Sequence, residues 1–124
     1  MRERIRVFVA EDNEDLRAAV VLLLNDTLDM HCIGETDCLA EVVPRVLESS
    51  AEVVVLDIEL KGQSSLVNLA TLKRQLPGAH FLIYSGHSHP ELMRGATAAG
   101  ASGYVLKSGD FDELLQAIRQ CVAA

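Results

Sequence analysis

The stretch VVVLDIEL, residues 53–60, sets an aspartate directly behind four consecutive apolar residues. An unbroken apolar run, without polar alternation, fits a strand covered on both faces. A carboxylate at the mouth of such a strand is costly to desolvate, so Asp57 needs a chemical reason to be there. The same pattern, a short apolar run closed by a polar residue, recurs in both directions along the chain. The runs lie at Ile5–Ala10, Met30–Gly34, Val53–Leu56, Phe81–Tyr84 and Tyr104–Leu106.

Helical periodicity fills the intervals. Leu16, Val20, Leu23 and Leu24 mark the first helix. Leu66, Leu69, Ala70 and Leu76 mark the third, which Pro77-Gly78 stops. Phe111, Leu114, Leu115 and Ile118 mark the last, opened by Asp110 and Glu113 as a capping pair. The second helix, about Leu39–Ser49, contains Pro44. An interior proline removes a backbone hydrogen bond and clashes with the preceding turn, so a kink or a late start is expected. The fourth, about Pro90–Ala99, holds Gly95 and the small Ala96, Ala98 and Ala99, and ends at Gly100. It buries little and is expected to be among the more mobile elements. Strands alternating with helices in this way predict an α/β fold, a parallel sheet with helices on both faces.

The chain of 124 residues is long enough for one domain with a real core, spanning residues 1–124, and 49% of it is apolar. Eleven basic against 18 acidic residues give a net charge of −7, a poor balance for direct nucleic-acid binding. A basic DNA-binding part elsewhere in a longer protein stays compatible with it. Cys32, Cys38 and Cys121 are odd in number and lack CxxC spacing, so they read as reduced thiols of a cytoplasmic protein. The opening MRERIRVFVAED meets acids too soon for a signal peptide, and no stretch is long enough to span a membrane.

In an open α/β sheet, ligands bind beyond the carboxyl ends of the strands, where strand order reverses. Glu11-Asp12, Asp57, Ser85 and Lys107 all follow strands and would share that edge. Any one of them is ordinary loop polarity. Together they are three carboxylates, a hydroxyl and an ammonium. Carboxylates at close range resist ionising together, and a hard divalent cation such as Mg²⁺ resolves this. Phosphoryl transfer uses this equipment: metal and lysine neutralise phosphoryl oxygens, a hydroxyl donates to another, and a nucleophile waits in line. A carboxylate can serve as that nucleophile, and Asp57 lies between the acid pair and the Ser/Lys side.

With VFVAEDNEDLR, VVVLDIEL, FLIYSGH and GASGYVLKS in hand, the chain resembles the response-regulator receiver domains of two-component signalling over residues 4–122. The last stretch, with ELLQAIR after it, is most similar to LuxR/NarL-type receivers. The resemblance implies a flavodoxin-like (βα)₅ fold with strand order 2-1-3-4-5. It implies that Asp57 accepts a phosphoryl group from a phosphohistidine of a sensor histidine kinase or a phosphotransfer protein. Asp12, Asp57 and the backbone carbonyl of Glu59 would hold Mg²⁺, with Glu11 acting through a water. Lys107 would pair with one phosphoryl oxygen and Ser85 would hydrogen-bond to another. Tyr104 matches the family's switch aromatic, although an ordinary strand tyrosine fits its spacing equally well. The new charge at Asp57 would draw in Ser85 and Lys107, let the Tyr104 ring move, and reshape the α4-β5-α5 surface to control an output such as transcription. Homodimerisation on phosphorylation is a state to test.

The sequence departs from the family pattern after Asp57. Lys61 stands where proline is usual and Ser65 where a later glycine is usual, so the loop is expected to be more mobile or differently shaped. Three roles are open to the Glu59 side chain: facing the metal, hindering the attacking water, or facing solvent. Lys61 is within sequence reach of a phosphoryl group, but an exposed lysine is the ordinary state. His87 and His89 lack a third ligand at zinc spacing and read as loop residues before Pro90, with His87 near the pocket. Two other functions share parts of this pattern. A haloacid-dehalogenase-type phosphatase also uses an aspartyl nucleophile, but early in its chain and with its acid pair late. A non-phosphorylated receiver-fold interaction domain usually lacks one of the acids or the lysine, and this chain lacks none.

Overall fold

Val53 and Val55 enter one hydrophobic cluster while Val54 and Leu56 enter another, as the two-residue period of an extended chain requires. The strand they form is the centre of the molecule. The computed structural model describes residues 3–123. In chain order these give β1 (Ile5–Ala10), α1 (Glu14–Asp26), β2 (Met30–Thr36), a 3₁₀ turn (Leu39–Glu41), α2 (Val42–Ser49) and β3 (Val53–Leu56). A small antiparallel ribbon follows, Glu59–Leu60 against Gln63–Ser64. The chain continues through α3 (Ser65–Gln75), β4 (His80–Ser85), α4 (Pro90–Ala99), β5 (Gly103–Leu106) and α5 (Phe111–Val122).

The main sheet has the order β2-β1-β3-β4-β5, and every pairing is parallel. The order reverses between β1 and β3, which opens a crevice beyond their carboxyl ends. Val7, Val9, Leu82 and Tyr84 face α1 and α5, where they meet Val20, Leu24, Leu114 and Ile118. Phe8, Phe81 and Ile83 face the other way, onto Val46, Leu69, Leu72 and Ala96 of α2, α3 and α4. Both layers are sealed, so polar chemistry is left to the strand ends.

Several elements differ in detail from the sequence expectation. β2 runs to Thr36 rather than Gly34, and β4 gains a residue at each end. Pro44 produces a late start rather than a kink: the 3₁₀ turn precedes α2, which begins at Val42, so the proline falls in the first turn, where its missing N–H costs nothing. Ala70 is exposed, and Leu72 takes the inner position, because Leu69, Leu72 and Leu76 follow the helical repeat while Ala70 is turned off that line. Phe111 opens α5 from the exposed side, at 38% exposure, instead of joining the inner stripe. Asp110 caps α5 as expected, its side chain accepting the Glu113 N–H. In α4 only Ala96 is fully buried, in line with its small side chains. Among the described residues no helix is long and apolar enough to cross a membrane.

An irregularity on the edge pairing has a visible cause. The register passes from Val7↔Cys32 to Phe8↔Gly34, so Ile33 is an extra residue on β2. The Phe8 ring lies against Gly34, where an added Cβ would come within 2.8 Å of its Cε2. Phe8 is fully buried and belongs to the core beneath α2, α3 and α4. Gly34→Ala is therefore expected to destabilise the fold by about 1–3 kcal/mol, read as a lower urea midpoint with unchanged m-value.

Candidate functional site

β1 and β3 end side by side at the reversal point, and their next residues continue the ladder. Asp57 N–H donates to the Ala10 carbonyl at 3.0 Å and Glu11 N–H to the Thr36 carbonyl at 3.0 Å. This fixes where three acids stand. One carboxylate oxygen each from Glu11, Asp12 and Asp57 falls within a 4.8 Å cluster, with Glu11 and Asp57 buried and Asp12 exposed. β5 brings the cation from the other side: Lys107 N–H donates to the Ser85 carbonyl at 2.7 Å, anchoring the residue just beyond the strand. Its ammonium then lies 3.0 Å from Asp57 Oδ2 and 2.8 Å from Glu11 Oε1. The Asp57 contact is an aligned hydrogen bond; the Glu11 contact is an ion pair.

The electrostatics follow from this packing. Burial pushes the Glu11 carboxyl above its usual range, against the pull of Lys107 and of the Asn13 N–H. For Lys107 burial opposes the charge, but contacts with Glu11 and Asp57 outweigh it and hold the ammonium above its usual value. The Lys107 ammonium also lies 6.0 Å from the centre of the Tyr84 ring. Burial raises the Tyr84 hydroxyl.

Ser85 is fully buried, and its Oγ accepts the His87 N–H at 3.0 Å. The His87 carbonyl in turn accepts the Tyr104 hydroxyl at 2.7 Å. Ser85, the β4–α4 loop and Tyr104 are thus one hydrogen-bonded chain. The imidazoles of His87 and His89 are exposed and stacked, with centroids 6.4 Å apart.

The segment after Asp57 takes the second of its expected forms, a different shape. It is the ribbon, closed by a turn with Lys61 at φ +49° and Gly62 at φ +80°. Two consecutive positive φ values make the mirror-image turn that suits a right-twisted hairpin. Leu60 is fully buried and pins the ribbon to the core. Ser65, in the place of the usual glycine, donates its hydroxyl to the Asp57 carbonyl and its N–H to the Ile58 carbonyl at 2.9 Å. Lys61 is exposed, the ordinary state for a lysine. Its ammonium pairs with Asp37 Oδ2 at 2.9 Å, and its N–H donates to Asp12 Oδ2 at 2.8 Å. The Lys61 hydrogen bond holds Asp37 below the usual carboxylate range. The Glu59 side chain faces solvent, while its N–H points at Asp57 Oδ1, 3.4 Å away.

Some neighbours escaped the sequence reading. Arg17 donates to the Glu11 carbonyl at 2.9 Å and pairs with Glu35 at 3.0 Å, bracing the acid pair from α1. Its place one turn into the helix after Asn13, the N-cap, was the available signal. The Lys61 contacts had none, because Asp37 is distant in sequence and the turn reverses the chain.

Residues 7–119 match the family model of the response regulator receiver domain. The chain belongs to that family. It is 35% identical over 118 residues to the uncharacterised transcriptional regulatory protein YvfU of Bacillus subtilis, covering 95% of this chain and 59% of that one. It is 32% identical over 115 residues to the DNA-binding transcriptional activator DevR/DosR of Mycobacterium tuberculosis, covering 93% and 53%. The chain therefore spans little more than half the length of these curated relatives. Among solved structures, the signal receiver domain of NarL from Mycobacterium tuberculosis superposes with a TM-score of 0.89 at 26% identity, covering 97% of each chain. These relatives are of the LuxR/NarL type, and receiver domains of this kind are signalling domains rather than conventional enzymes. Membership leaves the haloacid-dehalogenase reading without support.

In this receiver domain Lys107 should be dispensable for folding. Its folded-state pKa is raised, so the stability it contributes is present below its ordinary value of 10.5 and drains away as pH rises through the higher folded value. Lys107→Ala is expected to cost about 1–2 kcal/mol at pH 7 and to leave the far-ultraviolet spectrum unchanged. The gap between wild type and variant should narrow in urea melts run at increasingly alkaline pH.

Proposed function

We propose that this receiver domain is a phosphorylation-controlled switch in which Asp57 is the phosphoacceptor. The observation that carries the reading is the Lys107 ammonium held between Asp57 and Glu11 at the reversal point of the sheet. The donor would be a phosphohistidine of a sensor histidine kinase or a phosphotransfer protein. A carboxylate oxygen of Asp57 attacks phosphorus, the phosphorus–nitrogen bond breaks, and the imidazole leaves with its electron pair to take up a proton. The product is an acyl phosphate. Lys107 is already in contact with the attacking carboxylate and can follow the charge onto the phosphoryl oxygens. Ser85 supplies a hydroxyl on the same edge.

The acids fit a divalent cation. With all three ionised, Glu11, Asp12 and Asp57 face one ammonium, leaving two negative charges in excess at close quarters. Asp12 and Asp57 would ligate Mg²⁺ directly, and Glu11, tied to Lys107 and the Asn13 N–H, through a water. The Glu59 carbonyl would supply a further protein oxygen: in an antiparallel ribbon a residue's N–H and C=O point to the same side, and the Glu59 N–H points at Asp57. Bound Mg²⁺ would neutralise phosphoryl oxygens during transfer.

Signal output would run through the hydrogen-bonded chain at Ser85. A phosphoryl oxygen that accepts the Ser85 hydroxyl would pull on the Oγ that now accepts the His87 N–H, and the loop whose carbonyl holds the Tyr104 hydroxyl would shift with it. Tyr104, like Leu92 and Ala99 of α4, packs against the cluster beneath α2, α3 and α4, and α4 is the helix with the shallowest anchoring, so the α4-β5-α5 face is the part that responds. The 124 residues act as one receiver domain, in the cytoplasm, with transcription as the output and phosphorylation-driven homodimerisation as the intermediate. A net charge of −7 speaks against direct DNA contact by these residues.

The deciding test is incubation with Mg²⁺ and acetyl phosphate. Wild type should gain one phosphoryl mass that hydroxylamine removes, and Asp57→Asn should gain none. Full labelling of Asp57→Asn would overturn the assignment. Calorimetric Mg²⁺ titration should separate the two neighbouring acids: Asp12→Asn should weaken binding by more than Glu11→Gln, because only the former removes a direct ligand. Equal losses would reverse that division of roles.

A further inference from the structure

Glu59 and Lys61 stand two residues apart on the ribbon, and their N–H groups meet two different carboxylates. Glu59 N–H points at Asp57 Oδ1 at 3.4 Å, and Lys61 N–H donates to Asp12 Oδ2 at 2.8 Å. Asp12 is exposed, and nothing in its own loop explains why its side chain should keep one orientation. The Lys61 bond, across 49 residues of sequence, does. It also depends on this particular turn. Proline has no N–H, and its ring fixes φ near about −65°, so a proline here could neither donate to Asp12 nor adopt the φ of +49° seen at Lys61.

The side chain of the same residue makes a second attachment, to Asp37 beyond β2 at 2.9 Å. One residue therefore joins the loops that follow β1 and β2 to the ribbon that follows β3. We propose that Lys61 is a positioning residue for the cation site: its N–H fixes one oxygen of Asp12 so that the other serves the acidic cluster, and its ammonium, tied to Asp37, holds the turn over the strand ends. This rests on the divalent-cation reading given above. It also accounts for a chain that does without the family's proline. A left-handed residue carrying a backbone donor performs the restraint that a rigid ring would otherwise supply, and adds a hydrogen bond to a ligand.

The test is calorimetric titration of Mg²⁺ into the whole chain, with thermal melts in the absence of cation as the control for folding. Lys61→Pro should weaken Mg²⁺ binding by about tenfold or more, the usual scale for losing a hydrogen bond that orients a ligand. Lys61→Gly keeps the N–H and favours positive φ, so it should restore affinity to within about threefold of wild type. A Lys61→Pro chain that melts as wild type does and binds Mg²⁺ equally well overturns the positioning role. Amide exchange gives a reading independent of that variant's folding. In the cation-free wild-type chain the Lys61 amide should be protected; Asp12→Ala should speed its exchange, and Asp37→Ala should do so by about threefold or more. Exchange unchanged by Asp12→Ala overturns the hydrogen bond, and exchange unchanged by Asp37→Ala overturns the tether. A wild-type chain that takes up no Mg²⁺ at millimolar concentration defeats the cation reading itself, an outcome distinct from a wild type that binds and a proline variant that matches it.

Discussion

Glu11 and Asp57 share one ammonium, and the arrangement of the strand ends depends on it. Two buried carboxylates on neighbouring strands repel each other, and in a sealed α/β sheet there is little water to screen them. Lys107 reaches both, at 2.8 and 3.0 Å, from a strand on the far side of β4. The β4–β5 ladder ties the lysine's own backbone to Ser85, and its reach brings the ammonium into one crevice with the acids. The compensation is incomplete: three acids against one ammonium leave an excess of negative charge, which is what the proposed divalent cation would offset.

The ribbon after β3 adds some compensation without any formal charge. Backbone N–H groups of Glu59 and Lys61 are directed at carboxylates, and the Ser65 hydroxyl satisfies the Asp57 carbonyl from below. Dipoles fixed in place stabilise anions without neutralising them, so the acids keep the charge that the proposed cation site and phosphoacceptor would need. Leu60 anchors the ribbon by burial, and the paired positive φ values at Lys61 and Gly62 give the turn its hand. The charged Lys61–Asp37 contact is exposed on both partners, where water and salt screen it, so its value lies in placement more than in stability.

The Ser85–His87–Tyr104 chain gives the crevice a route to the surface. Each link is a short polar contact between groups that have an alternative partner in water or in a phosphoryl oxygen. The route leads to α4, which has one fully buried residue, while α5 is held by Leu114, Leu115 and Ile118. In the proposed switch, a signal arriving there would meet little resistance from packing on one helix and a firm support on the other.

Periodicity alone determined the architecture. Apolar runs of strand length, alternating with helical repeats, admit a parallel sheet covered on both faces, and parallel strands put every post-strand residue on one edge. Glu11, Asp12, Asp57, Ser85 and Lys107 were legible for that reason, since their grouping needs only chain direction. What tertiary structure decided lies in contacts between residues far apart in sequence or in backbone of unusual hand. The division of Lys107 between two acids depends on the relative heights of three strand ends. The late start of α2 at Pro44 depended on whether the preceding loop could wind into a 3₁₀ turn. The role of Lys61 was hidden most completely: a lysine in sequence carries no sign that its φ is positive, that its N–H turns toward Asp12, or that its ammonium finds Asp37. Hydrophobic pattern is a local, repeating signal and survives in one dimension, whereas a single hydrogen bond across 49 residues exists only once the sheet has set both of its ends.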